Sequence, residues 1–75
     1  MSKKTEFSKR LSKIIFDLDM SPKELSEKSV IPYSTILGYL NNGHEPTLSK
    51  IKRLCETLNV SADWLIGLKE GSYCD

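Results

Sequence analysis

Apolar residues recur at helical spacing in two long segments of this chain. In the first segment the spacing i, i+4, i+7, i+8, i+11 is carried by Phe7, Leu11, Ile14, Ile15 and Leu18. In the second segment, after Thr47, a similar stripe is carried by Leu48, Ile51, Leu54, Cys55 and Leu58. A single apolar stripe of this kind is typical of an amphipathic helix packed on a core. The pattern therefore predicts two amphipathic helices, with Thr47 as a natural N-cap of the second.

The segment that follows the first long helix carries the signals of a short helix. Ser21 and Glu24 form a capping-box pattern, in which a hydroxyl accepts from a free amide and a carboxylate reaches back. Pro22 lies at the first helical position, where its missing N–H costs nothing. Leu25 is the residue that this helix can bury. We therefore expect a short helix that begins near Ser21 and is interrupted by residues 29–32.

A second short helix is predicted after a tight turn. Pro32 restricts Ile31 to extended conformations, so helical geometry should break at that point. The next helix runs from about Pro32 to about Asn41, and Gly43 can supply the left-handed residue that ends it. Two helices this short, joined by a turn of about three or four residues, match the helix-turn-helix pattern.

The remaining segments complete a single all-α domain. After a turn at Asn59 and Val60, Ser61 caps a fifth short helix, and Asp63 complements its dipole. We therefore predict a compact domain of five helices without strands over residues 6–68. Residues 1–5 are interpreted as a flexible basic arm and residues 69–75 as a tail.

Composition and charge limit the class of protein. The 75 residues, 39% of them hydrophobic and 28% charged, suit one globular domain. Residues 1–53 hold ten of the eleven Lys and Arg against six acids, a balance of +4. Residues 54–75 hold one Lys against four acids, a balance of −3. Such an asymmetry would orient the protein in a phosphate field, whereas solvated helix faces are the alternative interpretation.

Few residues offer catalytic or metal-binding chemistry. Cys55 lies on an apolar stripe and is expected to be a small buried hydrophobe, while Cys74 lies in the tail. His44 has no partner at metal-ligand spacing. Since no catalytic arrangement or glycine-rich phosphate loop is present, we predict no enzyme activity, no cofactor and no metal. With no secretory segment and no long apolar run, a cytoplasmic setting away from membranes is expected.

The joint spacing of residues from Ser21 to Ile66 resembles the helix-turn-helix domain of the lambda repressor/Cro (Xre-type) family of bacterial and phage regulators. The matching positions are Ser21, Leu25, Ile36, Tyr39, Gly43, Pro46, Leu48, Leu54, Leu58, Val60, Trp64 and Leu65. The resemblance implies a lambda-repressor-like fold in which helices 2 and 3 form the motif. It also implies a function in binding double-stranded DNA, in the cytoplasm of a bacterial or phage-infected cell.

The chain departs from the family pattern at several positions. Pro22 stands where the family usually has Gln, and Ser26 replaces the usual Ala. Val30 replaces the glycine of the turn, and the turn geometry is left open because a β-branched residue resists a positive φ. Ile15 and Leu40 stand where many members carry an Arg–Glu pair. Packed apolar residues often replace such an ion pair without loss, so we interpret them as core.

The resemblance and the helical register together assign a candidate DNA interface. Its base-reading residues are Tyr33, Ser34, Leu37, Gly38 and Asn41. Its phosphate-contacting residues are Lys9, Arg10, Ser21, Lys23, Thr35, Asn42, His44, Lys50 and Lys52. With neither Arg nor Gln on the base-reading face, the common bidentate contact to guanine is missing. A Tyr ring, a Ser hydroxyl, a Leu suited to thymine methyls and an Asn suited to adenine remain.

Large apolar residues near the C-terminus exceed what one short helix can hide. We expect Trp64 and Leu65 to close the bundle, while exposure of Ile66 and Leu68 would favour self-association. Trp64, Ile66 and Leu68 are therefore a candidate dimer interface. In the resembled family dimers often form near this end, which sets two recognition helices one DNA turn apart on a palindrome. A monomer with all four residues in its core is the alternative.

The function predicted on these grounds is sequence-specific DNA binding in transcription regulation. The type expected is a phage or mobile-element repressor that acts by occupying a promoter, with a palindromic operator as its partner. The alternative is a protein-interaction module on the same scaffold, such as an antitoxin-like or anti-repressor partner. Such a module would depend on apolar residues of the second motif helix and would tolerate changes to the lysines.

Overall fold

A computed structural model describes residues 5–68, which form five α-helices and no strand within that range. The helices are α1 (Glu6–Asp17), α2 (Pro22–Ser29), α3 (Tyr33–Asn41), α4 (Leu48–Leu58) and α5 (Ala62–Leu65). The predicted all-α class and the five predicted helices are confirmed. The predictions for residues 1–4 of the arm and for the tail, which includes Cys74, lie outside the described residues.

Four of the five helices begin at a hydroxyl side chain that accepts a hydrogen bond from a free backbone amide. These N-caps are Thr5, Ser21, Thr47 and Ser61. Thr5 is therefore part of the α1 N-terminus and does not belong to a flexible arm. The capping box predicted for α2 is only half formed, because the Glu24 carboxylate pairs with Lys28 at 3.1 Å and does not reach back to Ser21. The caps at Ser21, Thr47 and Ser61 explain why α2, α4 and α5 begin where the sequence predicts.

The core is a single cluster to which every helix contributes. Its buried apolar residues are Phe7, Leu11, Ile14, Ile15, Leu25, Ile31, Ile36, Tyr39, Leu40, Leu54, Leu58, Val60, Trp64 and Leu65. Helix α1 packs on α3 and α5, while α2 packs on α3 and α4. Ile15 and Leu40 are both in this cluster, which confirms their predicted place in the core.

Two contacts fix the inner face of α3 against α1. The rings of Phe7 and Tyr39 meet edge to face, with centroids 5.5 Å apart and planes at 81°. Nearby, the buried Ser8 hydroxyl donates to the Leu40 carbonyl oxygen at 3.0 Å. The strength of an aromatic pair and of a buried hydrogen bond depends on the relative orientation of the groups as well as on the area they bury. The orientation of α3 about its own axis is therefore set from its buried side.

Not every residue on the predicted apolar stripes is buried. Leu18 is 45% exposed, because it caps α1 and the chain turns away at Asp19, whose φ is 56°. Leu48 is 85% exposed, since it is the first residue of α4. Cys55 packs against the core but is only half-buried. Periodicity thus overestimates burial where a helix ends.

The turn between α2 and α3 is built on a left-handed valine. Val30 has φ 57° and ψ 39°, and its N–H donates to the Ser26 carbonyl oxygen. The Ile31 N–H donates to the same oxygen at 3.2 Å, and the Ser26 hydroxyl donates to the Ile31 carbonyl oxygen at 2.6 Å. The Arg53 guanidinium donates to the Val30 carbonyl oxygen at 3.2 Å. The turn therefore keeps its left-handed residue although the sequence offers no glycine.

Replacing Val30 by glycine should make the domain more stable. A left-handed L-residue costs about 1–2 kcal/mol, and the Val30 side chain is 75% exposed, so it recovers little by packing. Glycine also has more conformational entropy in the unfolded chain, which offsets about 0.5–1 kcal/mol of the strain that is relieved. We expect Val30→Gly to raise the free energy of unfolding by about 0.5–1 kcal/mol in urea titrations.

The matched control for this substitution is Asp19→Gly. Asp19 has almost the same φ, 56°, but Asp tolerates the left-handed region better than Val, so the gain should be smaller. A loss of stability in Val30→Gly would contradict the assignment of strain to this turn.

Candidate nucleic-acid interface

The outer face of α3 presents four of the five predicted base-reading residues. Tyr33, Ser34 and Asn41 are exposed, and Leu37 is half-buried. Tyr33, Leu37 and Asn41 follow one another at i, i+4 and i+8, so they form a row along one side of the helix. The residues that face inward were described above as core. The row therefore projects away from the body of the domain.

The fifth predicted base-reading residue, Gly38, is placed differently from the prediction. Gly38 is buried, and a Cβ atom at this position would lie 2.6 Å from Nδ1 of His44. The expectation that Gly38 lets the helix backbone approach DNA is therefore wrong. The absence of a side chain at Gly38 leaves room for the imidazole ring of His44. Helical register alone does not predict this contact.

The loop between α3 and α4 folds back on the end of α3. The amides of Asn42 and His44 both donate to the Gly38 carbonyl oxygen, at 3.0 and 3.3 Å. Gly43, with φ 69°, reverses the chain between them and confirms the predicted left-handed residue. The Asn42 and His44 side chains remain exposed. Both predicted loop contacts to phosphate thus lie beside the C-terminal end of α3.

Cationic side chains flank the motif but are missing from its centre. No Lys or Arg occurs between Lys28 and Lys50, so the turn, α3 and the following loop carry none. Lys23 lies in the first turn of α2, and Lys50 and Lys52 lie in the first turns of α4. Free amides and the helix dipole make such N-terminal turns favourable for anions.

The other predicted phosphate contacts differ in how accessible they are. Lys9 is exposed, and Thr35 is half-buried. Ser21 is exposed, but its hydroxyl already accepts the Glu24 N–H at 3.1 Å, which leaves it able to donate to a phosphate oxygen.

Arg10, also predicted to contact phosphate, is instead engaged within the protein. Its Nε donates to the Glu6 carboxylate at 2.7 Å and its Nη1 donates to the Trp64 carbonyl oxygen at 2.9 Å. The guanidinium carbon lies 5.2 Å from the centroid of the Trp64 ring, and the side chain is only 11% exposed. The hydrogen bond and charge of Arg10 lower the pKa of the Glu6 carboxyl. Arg10 therefore joins α1 to α5, and we remove it from the predicted phosphate contacts.

The same region brings the two ends of the described chain together. A Cβ atom on Gly67 would lie 2.6 Å from Cγ of Glu6, so Gly67, two residues after α5, lies against the first residue of α1. Trp64 is 3% exposed and belongs to the core, whereas Ile66 and Leu68 are 39% and 77% exposed. Of the three residues predicted for a dimer interface, only these last two offer apolar surface.

Two long-range hydrogen bonds of the domain were not predicted from the sequence. The hydrogen bond from Arg53 to the turn joins residues 23 positions apart, and the hydrogen bond from Arg10 to Trp64 joins residues 54 positions apart. Only the i, i+4 spacing of Glu6 and Arg10 signals that Arg10 has an internal partner. For Arg53 the sequence gives no signal.

The described residues offer no evident site for a metal. Over residues 5–68, no three His, Cys, Asp or Glu side chains lie close enough together to hold a metal ion. Burial and the charge of Glu56 raise the pKa of the Cys55 thiol, which disfavours the thiolate needed for nucleophilic or metal-binding chemistry. Within the same range, no helix has the length and apolar character needed to cross a membrane.

Comparison with known proteins identifies the motif. The sequence model of a helix-turn-helix family matches residues 17–65, which include helices α2 to α5 whole. Searches of curated proteins and of solved structures return no significant match. The matched segment includes the left-handed turn and the outward row on α3.

We expect Arg10→Gln to destabilise the domain by about 1–2 kcal/mol, because the substitution removes the hydrogen bonds of the partly buried guanidinium and its stacking on the Trp64 ring. Glu6→Gln is the matched control and should cost little, since Glu6 is exposed and surface ion pairs contribute little. Urea denaturation measures both values. Equal stability of wild type and Arg10→Gln would contradict the internal role of Arg10.

The contact between Gly38 and His44 is testable by a double-mutant cycle. In the His44→Ala background, Gly38→Ala should gain up to about 1 kcal/mol of helix propensity. With His44 present, the ring must move, and we expect the gain to fall by about 0.5 kcal/mol or more. Additive effects on the free energy of unfolding would show that the ring does not pack on Gly38.

Proposed function

This chain belongs to the helix-turn-helix family of the Xre and lambda-repressor type, and on that basis we propose that it is a sequence-specific repressor that binds an operator in double-stranded DNA. The family is one of DNA-binding transcription regulators. The observation that carries the proposal is the outward row on α3, held in one orientation by the Phe7–Tyr39 and Ser8–Leu40 contacts. A rigid helix with an exposed face is what insertion into a major groove requires.

The proposed binding mode separates affinity from selectivity. Lys9, Lys23, Lys50 and Lys52 contact phosphates and supply affinity and register, with the loop side chains of residues 42 and 44 beside them. The row on α3 contacts base edges and supplies selectivity. Support for this division comes from the charges, since all these lysines lie outside the segment between Lys28 and Lys50.

Repression in this proposal is steric. The bound protein occupies a promoter and excludes the transcription machinery, as in regulators of phage or mobile-element type, and it acts with its DNA in the cytoplasm. A homodimer joined near the end of α5 places two copies of α3 about one DNA turn apart on a palindromic operator. The exposure of Ile66 and Leu68 supports that interface, because apolar groups there gain by being covered.

A second candidate function has one observation in its favour. The outer face of α3 carries no charge and includes Tyr33 and Leu37, which suit a protein partner as well as a groove. An interaction module of this kind would tolerate Lys50→Glu and lose its partner on Tyr33→Ala or Leu37→Ala. The uneven charge distribution favours DNA.

Binding to random-sequence duplex DNA across a salt series tests the proposal. The slope of log K against log salt reports the number of neutralised phosphates, about 0.9 for each contact. We expect Lys50→Gln/Lys52→Gln to flatten this slope by about 1.8, because two phosphate contacts are lost.

Lys13→Gln/Lys28→Gln is the charge-matched control. These two lysines pair with Asp17 at 3.3 Å and with Glu24 at 3.1 Å on the surfaces of α1 and α2, so the slope should be nearly unchanged. Circular dichroism checks that both variants fold. Equal flattening in the two variants would contradict the assigned contacts, and absence of binding even at low salt would contradict the DNA-binding function.

A further inference from the structure

We propose that this protein selects its DNA site through the C5-methyl groups of thymine, which Tyr33 and Leu37 contact, and makes no bidentate contact to guanine. The inference rests on the proposed function, in which the row on α3 enters the major groove. It adds the chemical class of site that is recognised, namely A·T pairs whose thymine methyls face that row.

Helix α3 and the segments beside it lack the side chains that usually contact guanine. Arg and Lys form the common bidentate contacts to guanine O6 and N7. The segment between Lys28 and Lys50 contains neither. Gly38, the remaining residue proposed for this face, is buried beneath His44 and leaves no backbone approach there. Selectivity by α3 must therefore come from the uncharged side chains that remain on its outer face.

The geometry of the row suits apolar contacts to bases about two pairs apart. Tyr33, in the first turn of α3, is 47% exposed, and Leu37 is half-buried one turn later. Four residues of α-helix rise about 6 Å, which is close to the rise of about two base pairs. The thymine methyl is the one apolar group that the base pairs present in the major groove. An apolar pair at this separation therefore matches two nearby thymine methyls.

The polar end of the row fits the same base pairs. Asn41 is exposed one turn beyond Leu37, and an Asn side chain pairs bidentately with adenine N6 and N7. Adenine is the partner of thymine, so one row can contact either strand of an A·T-rich half-site. Ser34 accepts or donates to any base and adds no preference of its own.

Replacement of single thymines by uracil tests this inference, because uracil lacks only the methyl group. The site is first selected from a pool of random duplexes with the wild-type protein. Each thymine of the selected site is then replaced in turn. We expect A·T pairs in each half-site, and at least one position per half-site where uracil weakens binding about fourfold, the value of one buried methyl group.

Variants assign the methyl contacts to residues. In Leu37→Ala the ratio of affinities for thymine and uracil should fall to about one at one position, and in Tyr33→Ala at another. Tyr33→Phe keeps the ring and should keep the ratio, and Ser34→Ala is the matched control on the same face. Because Tyr33 is exposed, its variants test the inference even where loss of the half-buried Leu37 side chain unfolds the domain.

Each outcome bears on a distinct claim. A selected site in which uracil has no effect at any position, or one dominated by G·C pairs, would overturn the methyl inference and leave the DNA-binding function standing. A pool that yields no enriched site, together with no binding at low salt, would overturn the proposed function itself. A thymine preference that survives Tyr33→Ala and Leu37→Ala would show that other residues contact the methyls.

Discussion

The attachment of α3 to α1 is the constraint on which the rest of this domain depends. A nine-residue helix would not persist alone in water, and it owes its order to the side that it buries. The edge-to-face contact of Phe7 with Tyr39 and the buried hydrogen bond from Ser8 to Leu40 select one rotation of α3 about its axis. If α3 turned about its axis, buried residues would become exposed and outward residues would become buried. The contacts on the inner face therefore determine which side chains the outer face presents.

The turn before α3 shows that geometry is kept here at some cost in stability. Val30 adopts a conformation that β-branched residues avoid, and hydrogen bonds from Ser26 and Arg53 hold the turn around it. The Arg53 contact ties the turn to α4, so the angle between α2 and α3 is supported from a third helix. Strained backbone held by surrounding structure is common where function requires a fixed geometry.

Local signals in the sequence predicted most of the fold, and tertiary contacts explain where they failed. The hydroxyl caps at Ser21, Thr47 and Ser61 begin their helices as predicted, because capping depends only on residues a few positions away. Leu48 was expected in the core, but a first helical residue can project past its neighbours, and periodicity carries no information on helix ends.

The misplaced site residues have the same kind of cause. Gly38 and Arg10 were assigned from helical register, which finds the side of a helix but not what covers it. The loop after α3 folds back and places His44 against Gly38. Arg10 contacts Trp64, which lies 54 positions away in the sequence. Such contacts depend on the assembled fold. The outward row on α3, in contrast, could be predicted because its three members follow the helical period.

The contact between Gly67 and Glu6 has a consequence for engineering. Because Glu6 and Gly67 are neighbours in space, a short linker can join the two ends of the helical domain and new termini can be opened elsewhere. The loop between α4 and α5 is unsuitable for this purpose, since Val60 within it is buried. The same proximity allows the domain to be inserted into an exposed loop of a host protein with little separation of the host's ends. Circular permutation and domain insertion are thus open to this small scaffold.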